Sequence, residues 1–137
     1  MAVDTDIFDD QGILARTLWG EARSLGWMGM HSVANVVMNR VKHGGWWGTT
    51  VRSVCLKPEQ FSCWNADDLN RPKLFLVGLD DMQFEDAIQI AADAIDLKLP
   101  DITGGADHYI VHGTQAKWAA NLTPVAHIGS QDFYITV

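Results

Sequence analysis

Glu21 has the residue type and the setting for acid–base chemistry. It falls in the run Ile13-Leu14-Ala15-Arg16-Thr17-Leu18-Trp19-Gly20-Glu21-Ala22-Arg23-Ser24-Leu25. On a helical wheel of about 100° per residue, Leu14, Thr17, Leu18, Glu21 and Leu25 share one face. The three leucines span roughly 40° of that wheel, and Glu21 lies about 20° from their edge. A carboxyl group is therefore expected on the core side of a helix, where burial disfavours its charged form. A raised carboxyl pKa is what a general acid needs near neutral pH. The structural alternative is a Glu neutralised by an arginine such as Arg40, or capped by backbone donors.

A second concentration of polar groups is the loop from Lys57 to Asn65, which carries Gln60, Ser62 and Trp64. Loops of this kind on a helical scaffold are where sites are built. Histidines supply a third possibility. His108 and His112 are four apart, with Asp107 beside them and His127 further on. On a helix that spacing holds zinc, but Tyr109-Ile110-Val111 reads as a strand and no HExxH pattern exists, so no metal is expected. Neither Cys55 nor Cys63 has a neighbouring histidine to make it a nucleophile. Gly44-Gly45 and Gly104-Gly105 lack the pattern of a phosphate-binding loop.

The elements that must position these groups follow from periodicity. Asp9 or Asp10 caps a first helix running to about Arg23 or Ser24, and Gly26 breaks it. A second helix is expected over Met28 to Lys42, with a stripe of Met30, Ala34, Val37, Met38 and Val41. A short helix near Thr50 to Cys55 and a loop with a little helix over Asn65 to Gly78 follow. A third long helix is expected over Met82 to Leu97, its buried stripe Ile88, Ala91, Ala92, Ile95 and Leu99, stopped by Pro100. The last third is β-rich: His108 to Val111 and Asp132 to Val137 read as strands. The expected class is α+β, mainly α, with about three main helices, short helices and a small C-terminal β element. All 137 residues fit a single domain with no separate binding module.

Composition narrows the partners. With 47% hydrophobic residues the chain can build a core unaided. A net charge of −7 argues against nucleic acid and against an anionic membrane surface. The start, Met1 to Asp6, is acidic and unlike a secretory signal peptide, and no apolar run is long enough for a membrane anchor. Cys55 and Cys63 flank Pro58, and a disulfide across that turn is favoured over two free thiols. Six tryptophans suit core edges and sugar-binding clefts alike.

Several blocks resemble one family. Leu14 to Arg23, Met30 to Val41 with its Asn39-Arg40-Val41 ending, Gln60-Phe61-Ser62 with Trp64, Gly105 to Tyr109, and Ile128 to Tyr134 occur in the order seen in the cell-wall hydrolases typified by spore cortex-lytic enzymes. The chain departs from that pattern at Gln131, where the family often has His, and ahead of Trp118, where its usual proline is missing. The resemblance implies a lysozyme-like, lytic-transglycosylase-like fold acting on peptidoglycan without a cofactor. It places the catalytic Glu on Glu21 and lines the sugar cleft with Gln60, Ser62, His108 and Tyr109. Trp64 and Tyr109 would stack on sugars, and Asn39 and Arg40 would tie helix to loop.

A lytic transglycosylase needs one carboxyl group, acting as acid and then as base. A muramidase hydrolase would need a second carboxylate, with Glu59, Asp68 and Asp107 as candidates. A zinc-dependent amidase, a non-catalytic glycan-binding module and a structural or inhibitor protein are the rival classes. The missing signal peptide resembles a phage endolysin, made in the host cytoplasm and released to the wall through a holin pore. A monomer is expected.

Overall fold

The computed structural model describes residues 4–137; the reading of Met1, Ala2 and Val3 lies outside the described residues. The helices are α1 (Asp10–Ala22), α2 (Gly26–His43), α3 (Val51–Leu56), α4 (Arg71–Leu76) and α5 (Met82–Ile95). The strands are β1 (His108–Val111), β2 (Ala126–Ile128) and β3 (Gln131–Tyr134), in the antiparallel order β1-β3-β2. Short 3-10 turns join them, including Arg23–Leu25, Ser62–Trp64 and Lys117–Ala119. The mainly helical α+β class is as expected.

Helix α1 starts at Asp9, whose carboxylate accepts the Gly12 N–H at 2.7 Å. It is the core helix, packed by α2, α3 and α5. Ile13, Leu14, Ala15, Thr17, Leu18, Trp19 and Ala22 are all buried, so apolar contact surrounds it rather than forming one stripe. The helix ends at Ala22, before the expected Arg23 or Ser24. Leu25 therefore leaves the helical phase of Leu14 and Leu18 and is exposed.

Gly26, at φ 72°, turns the chain into α2 two residues earlier than expected. Met30, Ala34 and Val37 are buried as expected, while Met38 and Val41 are only partly so. A buried polar stripe runs beside them and fastens the segment that leads to the sheet. His31 and Asn35 bond the Pro100 carbonyl, Asn39 donates to Asp101 and to the Ala106 carbonyl, and Arg40 donates to the Asp107 carbonyl at 2.8 Å.

Thr50 caps α3 by accepting the Ser53 N–H, in a reciprocal capping box. The stretch read as loop holds α4, where Pro72 occupies the first turn and costs no hydrogen bond. Helix α5 is capped by Asp81 and ends at Ile95, not at Leu97. Leu97 adopts φ 59° and closes it well before Pro100. Its buried stripe is Phe84, Ala87, Ile90, Ala91 and Ala94; the expected Ile95 is exposed.

β1 occupies the expected residues. Strand β3 starts at Gln131 and stops at Tyr134, because Thr136 turns aside and gives its N–H to the Asp107 carboxylate at 3.1 Å. β2 was not expected; its three residues carry no pattern of their own and pair by register with β3. One sheet face, with Tyr109 and Phe133, packs towards α2 through Val36 and Ala106. Pleating sends His108, Asp132, His127 and Tyr134 to the other face.

The disulfide expectation fails: Cys55 and Cys63 are both free and buried. Cys55 points into the core from α3, where burial pushes its thiol up to about 12. Cys63 instead lies against Gly20 of α1. A Cβ on Gly20 would stand 2.8 Å from both Cβ and Sγ of Cys63.

Candidate active site

Glu21 is the penultimate residue of α1, half-buried beneath the turn Ser62–Trp64. The backbone N–H of Cys63 donates to Glu21 Oε2 at 3.3 Å. The side chains of Cys63 and Ser62 lie near the same carboxyl and favour its charged form. Tyr109 brings its hydroxyl to it from β1. Burial raises the pKa of Glu21 above the ordinary 4.5, and the hydrogen bonds from Cys63 only partly offset that effect. The charge of Asp68 pushes it further in the same direction.

Arg40 does not neutralise Glu21. Its guanidinium is buried, its Nε is committed to the Asp107 carbonyl, and its Cζ lies 5.5 Å and 5.3 Å from the ring centres of Trp47 and Phe61. Among the described residues no basic side chain forms an ion pair with Glu21. The buried carboxyl is thus held by neutral donors, which leaves it able to carry a proton and to lose it. Arg40 ties α2 to the segment at Asp107 and packs on Phe61.

The predicted site residues divide. Ser62 and Tyr109 stand at Glu21. Trp64 does not stack over it: its indole N–H donates to Thr17 Oγ1 at 2.9 Å, and its ring packs edge-on against Phe75. It pins the loop to α1. Gln60 is held in the preceding turn by its own N–H, bonded to the Lys57 carbonyl at 3.2 Å, with no bond to Glu21.

His108 lies on the opposite sheet face from Tyr109. Its Nδ1 bonds Asp107 at 2.9 Å, and its ring sits 4.7 Å from Trp118 and 6.0 Å from Trp47. Trp118 in turn meets Tyr134 edge-on at 5.2 Å. His108, Trp118 and Tyr134 thus form an aromatic row with Trp118 partly exposed.

Two contributors escaped sequence reasoning. Cys63 entered as a disulfide partner and proves to be a hydrogen-bond donor to Glu21. The missing side chain of Gly20 admits Cys63; a glycine beside a candidate acid in a helix interior is the sequence signal for such a close approach. Of the proposed second carboxylates, Asp107 is consumed by Thr136 and His108, and Glu59 is exposed at a loop tip. Only the charge of Asp68 bears on Glu21. The histidines split likewise: His108 goes to Asp107, whereas His112 and His127 converge on Asp132.

The mainly helical domain thus carries one half-buried carboxyl group, Glu21, roofed by the Ser62–Trp64 turn and flanked by a small sheet. The chain belongs to the cell wall hydrolase family, whose pattern it matches over residues 26–134, beginning just after Glu21. It is similar to the catalytic domain of the germination-specific lytic transglycosylase SleB from Bacillus anthracis, at 26% identity and a TM-score of 0.71, over 91% of this chain and 93% of that one. The catalytic domain of the Bacillus cereus SleB protein is similar at 27% identity and a TM-score of 0.72, over 91% and 88%. No curated protein matches the chain significantly.

Proposed function

We propose that the protein is a lytic transglycosylase that cleaves peptidoglycan glycan strands between N-acetylmuramic acid and N-acetylglucosamine. The carrying observation is a single half-buried carboxyl, raised in pKa and held by neutral donors. Protonated Glu21 gives its proton to the glycosidic oxygen as the bond from muramic C1 breaks. The resulting carboxylate then takes the proton of the muramic C6 hydroxyl, whose oxygen bonds to C1. The product is a 1,6-anhydro end, and Glu21 is protonated again. No water is activated, so no second carboxylate is required. The similar Bacillus anthracis protein is a lytic transglycosylase, which supports the same chemistry here.

The second reading is a muramidase hydrolase, favoured only by the influence of Asp68 on Glu21. Mass spectrometry of digested glycan separates the two: anhydro-muramic ends support the transglycosylase, and reducing ends overturn it. On the preferred reading the enzyme works as a monomer at the wall, as an endolysin released through a holin pore. Lysis by cells expressing it only with a co-expressed holin tests that route. No helix of the described residues is long and apolar enough to cross a membrane.

A further inference from the structure

Three groups outside the Glu21 site meet on the other face of the sheet. His127 of β2 and Asp132 of β3 are a direct cross-strand pair. His112 follows β1 and is clamped beside them by its own N–H, bonded to the Ser130 carbonyl at 2.8 Å. Asp132 Oδ2 lies 2.7 Å from His112 Nδ1, and Oδ1 lies 2.6 Å from His127 Nδ1. One ligand atom from each residue falls within 4.8 Å of the other two.

We propose that His112, His127 and Asp132 form a binding site for a divalent transition-metal ion, zinc before others, that clips the three strands together. The side chains of His112 and His127 are 69% and 54% exposed, so water alone would satisfy them. Both rings nevertheless turn Nδ1 inward onto one carboxylate, which is itself 10% exposed and, among the described residues, has no Lys or Arg partner. Register fixes two of the ligands and the Ser130 clamp fixes the third, so the cluster is preorganised.

Two imidazoles and one carboxylate suit zinc, whereas magnesium and calcium favour all-oxygen sets. Bonds of about 2.0–2.2 Å in a tetrahedral site require ligand atoms about 3.3 Å apart. The observed nitrogen–oxygen distances of 2.7 and 2.6 Å would have to open by about 0.6–0.7 Å, within reach of rotation of the exposed rings. Ligation through Nδ1 places each ring proton on Nε2. Three protein ligands leave the fourth position to water. Tyr109 projects from the opposite face of this sheet, so the ion would brace the element that carries Tyr109 to Glu21 without entering the chemistry.

The test is titration of chelator-stripped full-length protein with zinc chloride alone, followed by native mass spectrometry and thermal denaturation. One zinc per chain is expected, with a rise of several degrees in Tm. The His112 and His127 ring resonances should move in step with zinc occupancy. His112→Ala and His127→Ala should each weaken binding at least 10-fold. Absence of stoichiometric zinc in the unmodified protein overturns the proposal. So does undiminished binding by the His112→Ala/His127→Ala double variant, which would place the ion elsewhere.

Discussion

The Glu21 carboxyl accepts the backbone N–H of Cys63 at 3.3 Å, across 42 residues of sequence. That bond joins the end of the core helix to the Ser62–Trp64 turn and fixes where the acid points. A backbone donor is the one partner that no side-chain substitution at Cys63 removes. The loop's placement, rather than its side chains, thus governs the site.

Glu21→Gln keeps the shape of the side chain and its capacity to accept from Cys63. The variant should fold normally and lose at least about 10²-fold in the turbidity clearance of purified peptidoglycan. Retained clearance would sink the assignment of Glu21.

The raised pKa of Glu21 also has a stability sign. The folded state binds this proton more tightly than the unfolded state, so stability falls as pH rises from 4.5 through the folded pKa. Above that window the buried charge is a standing cost that glutamine lacks. Glu21→Gln should therefore match or exceed the parent in Tm at neutral pH and lose that advantage below pH 4.5. Thermal denaturation at several pH values reads this directly.

Asp68→Asn removes a like charge and should lower the pKa of Glu21, moving the alkaline fall of the activity profile to lower pH. Asn retains the oxygen that accepts the Asn70 N–H at 2.8 Å, so the loop should hold. Activity should persist at the optimum. Complete loss in a protein that still folds would instead mark Asp68 as the second carboxylate of a hydrolase.

Gly20→Ala places a methyl 2.8 Å from Cys63 Cβ and Sγ and 3.0 Å from Leu74. The loop must retreat, at about 1–3 kcal/mol in stability. The backbone donor should retreat with it, so kcat should fall by about 10-fold beyond what unfolding explains. Equal kcat at temperatures where both proteins are folded would contradict this.

Thr17→Val conserves shape but leaves the Trp64 indole N–H without its acceptor at 2.9 Å. The expected cost is about 1–3 kcal/mol, seen in denaturant melts. Activity should decline too, because Trp64 anchors the turn over Glu21. A Trp64→Phe variant should behave alike, whereas a sugar-stacking role would raise KM and spare stability.

Local sequence determined the helices, their caps and β1, because those depend on spacing, Asp9, Thr50 and Asp81, and runs of β-branched residues. It marked Glu21 as a carboxyl on a buried face for the same reason. Tertiary structure decided what surrounds that carboxyl. The approach of Cys63 to Gly20, the descent of Tyr109 from the sheet and the diversion of Arg40 to Asp107 all join distant segments. Pleating split His108 from Tyr109, and the register of β2, a strand with no pattern of its own, brought His127 to Asp132. Periodicity reports only which face of an element is buried; which groups meet across that face depends on packing between elements far apart in the chain.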